Sequence, residues 1–294
     1  GWTMLTAINV MIFTLLHFPC MTTLLTIKKE TNSSKWVWIS FLIPTVCGMI
    51  ICILTNFIYN IVEFFIELNP IYQALLACTF TFLVTALGAA LVFLVKKVNQ
   101  NLMDILLSIS AGIMLSSSIF SLIIPALDSS DDIGCNASIL LSIGIMVGAL
   151  LIYFCDYLYN KKEKQLKKIK RNKKKNNVNN LLLSMTIHNF PEGMAIGVAF
   201  AGVYYGSISS ITAAISLAIG IGIQNFPEGS AISFPLYKNG YSKFKSFVIG
   251  GLTAIVEPIG GVIGVLIALR LPILLPFLLS LAAGSMFYVI VTEL

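Results

Sequence analysis

Two short stretches hold the side chains best suited to chemistry: His188-Asn189-Phe190-Pro191-Glu192-Gly193 and Gln224-Asn225-Phe226-Pro227-Glu228-Gly229. They differ only at the first position. Positions i, i+3 and i+4 adjoin on a helix. Each stretch therefore gathers an imidazole or amide (His188, Gln224), a second amide (Asn189, Asn225) and a carboxylate (Glu192, Glu228) on one face. One imidazole with carboxylate and amide oxygens suits Zn²⁺, Fe²⁺, Mn²⁺ or Cd²⁺; it does not suit Cu⁺, which wants sulfur. Pro191 and Pro227 lack N–H groups, which frees the carbonyls of Ile187 and Ile223 and predicts a bend in each helix. Gly193 and Gly229 allow close helix approach. The bland alternative for His188 is a histidine satisfied within a helix bundle.

The elements that must position these groups are apolar. Of 294 residues, 57% are hydrophobic and 11% charged, against about 25% charged in a soluble domain. A helical span needs about 20 apolar residues. Such stretches run over 5–27, 36–60, 71–95, 105–127, 136–157, 181–203, 211–235 and 246–269, and a ninth begins near Pro272. Without period-two alternation they predict helices rather than a barrel. The first residue is Gly and the last apolar run is unfinished at Leu294, the pattern expected of a fragment. The first stretch is too long for a cleavable signal peptide and lacks a basic leader. Cysteines 20, 47, 52, 78, 135 and 155 show no metal-ligand spacing and read as small apolar residues.

Charge then sets the topology and isolates the site. Ten of the 19 basic residues lie between Lys161 and Lys175. The run predicts a solvated cytoplasmic loop over 160–180 by the positive-inside rule, in preference to a nucleic-acid patch. Counting spans from it puts Lys28, Lys29, Lys35, Lys96, Lys97, Lys238, Lys243 and Lys245 on the same side. Asp128, Asp131, Asp132 and Arg270 fall on the other. Tyrosines apart, the only ionisable groups within 181–235 are His188, Glu192 and Glu228, and within 246–269 only Glu257. No Lys or Arg shares these spans. A charge at mid-membrane costs about 2.5–3.5 kcal/mol even on the lenient scale. With salt-bridge partners missing, a cation pathway is the better account. Three carboxylates exceed what one divalent ion needs, which leaves room for two ions sharing Glu192 and Glu228. The motif copies stand on consecutive, hence antiparallel, spans, as in inverted-repeat transporters.

On these residues the chain resembles the ZIP family of zinc/iron-regulated transporters, most closely its GufA-like branch, over residues 71–294. The resemblance includes Thr85-Ala86-Leu87-Gly88-Ala89-Ala90, Gly112-Ile113-Met114-Leu115, Phe120-Ser121-Leu122, both motifs and Glu257-Pro258-Ile259-Gly260-Gly261. It implies an all-α polytopic membrane protein, a helix bundle in a 3+2+3 pattern whose eighth helix is missing here. It implies a primary metal site of His188, Glu192, Gln224 and Glu228 with Met114 nearby. A second site would comprise Asn189, Asn225 and Glu257, sharing Glu192 and Glu228. Ser121, Asp128 and Glu293 would line the transport pathway. Some members have an aspartate where Asn225 stands, which weakens the second site. Residues 1–66, through Leu15-Leu16-His17-Phe18-Pro19-Cys20, Ile27-Lys28-Lys29-Glu30 and Lys35-Trp36, resemble the carboxy-terminal membrane end of the FeoB ferrous-iron transporter. They are expected to form a two-helix hairpin; His17 and Cys20, at i and i+3, keep an iron site as the alternative.

The function expected is import of divalent cations, Zn²⁺ or Fe²⁺ with Mn²⁺ and Cd²⁺ as further candidates, by alternating access across the cell membrane. The alternatives are a metal-binding accessory or sensing subunit of an iron uptake system and, further off, a membrane metallohydrolase. An enzyme is not expected, because such hydrolases show His-Glu-x-x-His or paired histidines. No prosthetic group is implied beyond the transported ion, and no nucleic acid. The remaining partner options are a second copy of the chain and iron-uptake proteins.

Overall fold

The computed structural model describes residues 2–17, 20–95, 100–133, 136–169, 173–206 and 211–293, and among them there are helices and no strands. Lys96, Lys97, Cys135 and residues 170–172 of the basic run lie outside the described residues, as do the side chains of Asp131, Asp132 and Glu293. The chain divides into two compact units, Gly1–Leu68 and Asn69–Leu294.

In the first unit, α1 (Met4–Leu16) is capped by Thr3, whose hydroxyl accepts from the Thr6 amide at 3.2 Å. α2 (Met21–Thr31) follows, then α3 (Ser34–Glu67), which runs through Pro44. The single span expected over 5–27 is therefore two helices. His17, the residue that ends α1, is extended. α2 ends on Asn32 in the left-handed region (φ 47°), where a short polar side chain is tolerated. α3 is longer than the expected 36–60. Its 34 residues extend to about 50 Å at 1.5 Å per residue.

The second unit begins at Asn69, whose side chain accepts from the Ile71 amide at 3.0 Å with Pro70 in the first turn, a strong helix start. α4 (Pro70–Ala90) tightens into a 3-10 turn at Leu91–Phe93. α5 (Gln100–Ser117) passes through a π-helical segment, Ser118–Ile123, into α6 (Ile124–Ile133). α7 (Ala137–Ile169) and α8 (Lys173–Tyr204) follow, then α9 (Ile211–Lys238). α10 (Lys243–Leu252) is joined to α11 (Val256–Arg270) by a 3-10 turn, Thr253–Ile255, just ahead of Pro258. α12 (Leu275–Glu293) closes the described chain.

Two outcomes differ from expectation. The basic stretch 160–180 is largely helical rather than a loop: α7 continues to Ile169 and α8 starts at Lys173. Lys, Leu, Gln and Glu are strong helix formers, so charge places the segment in water without ending the helix. Seven segments among the described residues are long and apolar enough to cross a membrane, and neither α8 nor α9 is among them. Both motif helices are central instead. α8 is buried on every side over residues 191–202 and α9 over 227–234, so neither needs a lipid-facing apolar surface there.

Packing is organised as two matching halves. α4 packs most closely on α9, and α11 on α8. A Cβ on Gly88 would strike the carbonyl of Phe226, and one on Gly260 that of Phe190. A Cβ on Gly229 would meet the Thr85 backbone, and one on Gly193 the Glu257 backbone. Each α11 partner stands 172 residues after its α4 counterpart, and the motif residues are 36 apart. α4 and α11 thus dock on α9 and α8 in the same way. On one face the Lys243 ammonium donates to the carbonyls of Phe93 (3.1 Å) and Val95 (2.9 Å). It ties the start of α10 to the end of α4, the shared side that span counting requires.

Candidate metal centre

Pro191 and Pro227 sit inside continuous helices, so α8 and α9 carry the motif side chains through the middle of the unit. His188, Asn189, Glu192, Gln224, Asn225, Glu228 and Glu257 are each at most 4% exposed. Glu257 reaches this layer from the first turn of α11, directly after the 3-10 turn. Burial at that level makes every polar atom answerable for a partner.

Some have one. The Gln224 amide donates to Glu192 Oε1 at 2.6 Å, and the Asn225 amide to Glu257 Oε1 at 2.9 Å. Thr81 Oγ1 donates to the other oxygen of Glu257. Ser110 Oγ lies 3.2 Å from both Glu228 Oε1 and the Gln224 carbonyl. The rest have none. Both ring nitrogens of His188, Asn189 Oδ1, Glu192 Oε2, Gln224 Oε1 and Asn225 Oδ1 are buried without a hydrogen-bond partner. Four of these atoms are oxygens that only accept, and a neutral imidazole adds an acceptor nitrogen. A buried set of lone pairs with no Lys or Arg on either helix between 181 and 235 fits a divalent cation. Among the described residues no three His, Cys, Asp or Glu side chains close on one point. The amide oxygens must therefore complete any donor set.

Met114, buried on α5, lines a narrow void together with His188, Glu192, Ser285 and Met286. Ser121 is part of the π-helical segment and half-buried, and Asp128 on α6 is exposed. Glu293 ends α12.

Sequence reasoning missed Thr81 and Ser110, which hold two of the carboxylates. A lone Thr or Ser in an apolar helix carries no signal. Thr81-Phe82-Leu83-Val84-Thr85 and Thr253-Ala254-Ile255-Val256-Glu257 stand in register at the 172-residue offset. Thr85 occupies the place that Glu257 fills in the other half, so the site is a symmetric frame with an asymmetric carboxylate. Replacing Thr81 by valine keeps the shape and strips one oxygen of Glu257 of its donor. The expected cost is about 1–3 kcal/mol, read as a lower midpoint of thermal unfolding in detergent; an unchanged midpoint would dismiss this support role.

The family model for the ZIP zinc transporters matches residues 159–294. Zinc transporter ZIP11 of Xenopus tropicalis is 31% identical, over 77% of this chain and 89% of that protein. Zinc transporter GufA of Myxococcus xanthus is 32% identical, over 71% and 82% respectively. Zinc transporter ZupT of Chlorobaculum parvum is 34% identical, over 72% and 82%.

Proposed function

The chain belongs to the ZIP family of zinc transporters, a family of multi-pass membrane proteins that move divalent metal ions, and we propose that its own cargo is Zn²⁺, taken up into the cytoplasm. One observation carries this reading: the unpartnered acceptors of His188, Asn189, Glu192, Gln224 and Asn225, buried together on α8 and α9. The relatives are named transporters rather than enzymes, in keeping with the single imidazole of the site.

In this reading His188, Glu192, Gln224 and Glu228 bind the first ion beside Met114. Asn189, Asn225 and Glu257 receive a second, sharing Glu192 and Glu228. Ions arrive past Asp128 and Ser121 and leave towards the side of the basic segment around Lys161, with Glu293 near the exit. The two matching halves, each a pair of helices locked by glycine contacts, are the rigid bodies whose relative motion gives alternating access. Glu257 accepts from Thr81 on one oxygen and from Asn225 on the other, and each oxygen keeps a second lone pair for an ion at the second position.

Uptake of radioactive zinc into proteoliposomes tests the proposal, with Fe²⁺, Mn²⁺ and Cd²⁺ as competitors. Saturable zinc flux is expected. His188→Ala removes the site's single imidazole and should raise half-saturation roughly tenfold or more, since loss of even an outer-shell partner of a metal costs about 10–100-fold. Zinc binding without flux in the intact chain would replace transport with a sensing or accessory role. A His188→Ala protein with unaltered uptake would remove His188 from the site.

A further inference from the structure

Met114 entered the site through resemblance; Met286 on α12 had no signal of its own. The two stand in one relation. Ser110-Ala111-Gly112-Ile113-Met114 and Ala282-Ala283-Gly284-Ser285-Met286 match at the same 172-residue offset that relates α4 to α11. Met286 is therefore the counterpart of Met114 in the second half of the unit. Both are buried, at 1% and 2% exposure. Both line the void that also holds His188 and Glu192.

Ser118, the first residue of the π-helical segment, connects them. Its hydroxyl lies 2.8 Å from the Met114 carbonyl and 3.3 Å from the Met286 sulfur. A single hydroxyl proton serves one acceptor at a time. It can stay on the carbonyl while the thioether turns to an ion, so recruiting Met286 strands no buried donor. π-helical insertions often stand at functional sites.

The bland account is that methionine fills irregular gaps in cores. Packing alone would be met as well by leucine, whose exchange with methionine costs little. Two thioethers at equivalent places, beside an imidazole and a carboxylate with unpartnered atoms, ask for more than volume. We propose that Met286 is a second thioether donor to the cargo ion, paired with Met114, and that this pair shifts the site's preference from zinc towards the softer Cd²⁺. Ligand softness decides selectivity where oxygen and imidazole donors alone discriminate weakly.

The inference rests on the proposed zinc site, and its test has one arm that needs no transport. Met286→Leu in proteoliposomes should weaken competition by Cd²⁺ against zinc roughly fivefold, as loss of one soft ligand implies. Met114→Leu should likewise weaken Cd²⁺ competition, and Met286→Cys, which keeps a sulfur, should retain it. Cadmium-edge X-ray absorption on the purified, Cd²⁺-loaded protein should show sulfur scatterers that diminish in Met286→Leu and vanish in Met114→Leu/Met286→Leu. Unchanged Cd²⁺ competition in an active Met286→Leu protein overturns the proposal. So does a wild-type cadmium shell without sulfur, or one whose sulfur survives in the double variant. If Met286→Leu loses all uptake, the absorption spectrum decides. If wild-type vesicles carry no zinc, the transport reading falls and the cadmium–sulfur result still judges Met286.

Discussion

Glu192→Gln is expected to abolish zinc uptake while leaving a folded protein, a loss of on the order of a hundredfold or more, as removal of a charge-assisted metal contact from a low-dielectric site entails. The exchange preserves volume and planarity, so packing on α8 is not disturbed. What changes is charge and lone pairs. In the proposed site Glu192 is shared by the two ions: its Oε1 is held by the Gln224 amide at 2.6 Å, and its Oε2 has no partner. A glutamine there would place its own NH₂ on one of these two sides. Turned towards Gln224 it opposes another donor; turned the other way it presents hydrogens to the cation. Either orientation ruins one function of the group. Isothermal titration of zinc into the detergent-solubilised variant, beside the flux assay, separates lost binding from lost movement. Retained uptake would mean that the ion path avoids Glu192, and would overturn the site. Glu228→Gln should impair uptake as well, because Glu228 is shared by both proposed ion positions.

Much of this centre can be read from the sequence, for reasons that differ by residue. The two motifs are visible because helical spacing and repetition coincide, and because no Lys or Arg balances their carboxylates between 181 and 235. Glu257 is visible as an isolated charge in an apolar run. Thr81 and Ser110 are not. Their chemistry is ordinary for membrane helices, where hydroxyls often bond back to their own backbone, as Thr79 does to the Leu75 carbonyl. Only three-dimensional proximity to Glu257 and Glu228 distinguishes them. Met286 is hidden in the same way, until the offset linking Gly88 to Gly260 is carried along to α5 and α12.

Element boundaries fared unevenly. Pro19 is a breaker in plain view, yet hydropathy runs across it, and the first span divides at Leu16. In the Lys-rich stretch charge is no signal of conformation. It signals solvent, and helical propensity carries α7 on to Ile169. The motif helices mislead in the opposite sense. They are the least lipid-like of the long helices because they are enclosed by the others, so hydropathy is weakest where function is concentrated.

Gly193→Ala should be among the most damaging single-methyl changes in the chain. A Cβ there would overlap the backbone oxygen, Cα and carbonyl carbon of Glu257, and none of these can rotate away as a side-chain tip would. α8 and α11 would have to separate, which carries Glu257 away from Asn225 and loosens the whole carboxylate layer. Overpacking a dense interior costs about 1–3 kcal/mol where side chains can adjust, and this contact lies between two backbones. The expected result is loss of most folded, monodisperse protein on detergent size exclusion, with zinc uptake below detection. Gly229→Ala should behave alike, because its Cβ would meet the Thr85 carbonyl and the Ala89 amide nitrogen in the matching half. Gly220→Ala is the control. It lies on α9, one of the same two helices, with open space around its Cβ position, and a helical Gly-to-Ala change there should be neutral or stabilising by about 0.5–1 kcal/mol. Equal tolerance of Gly193→Ala and Gly220→Ala would mean that α8 and α11 are not in backbone contact. The two-half frame that holds the site would then be wrong. Damage at positions 193 and 229 with tolerance at 220 is the pattern that a pair of glycine-locked helix dockings, one per half, requires.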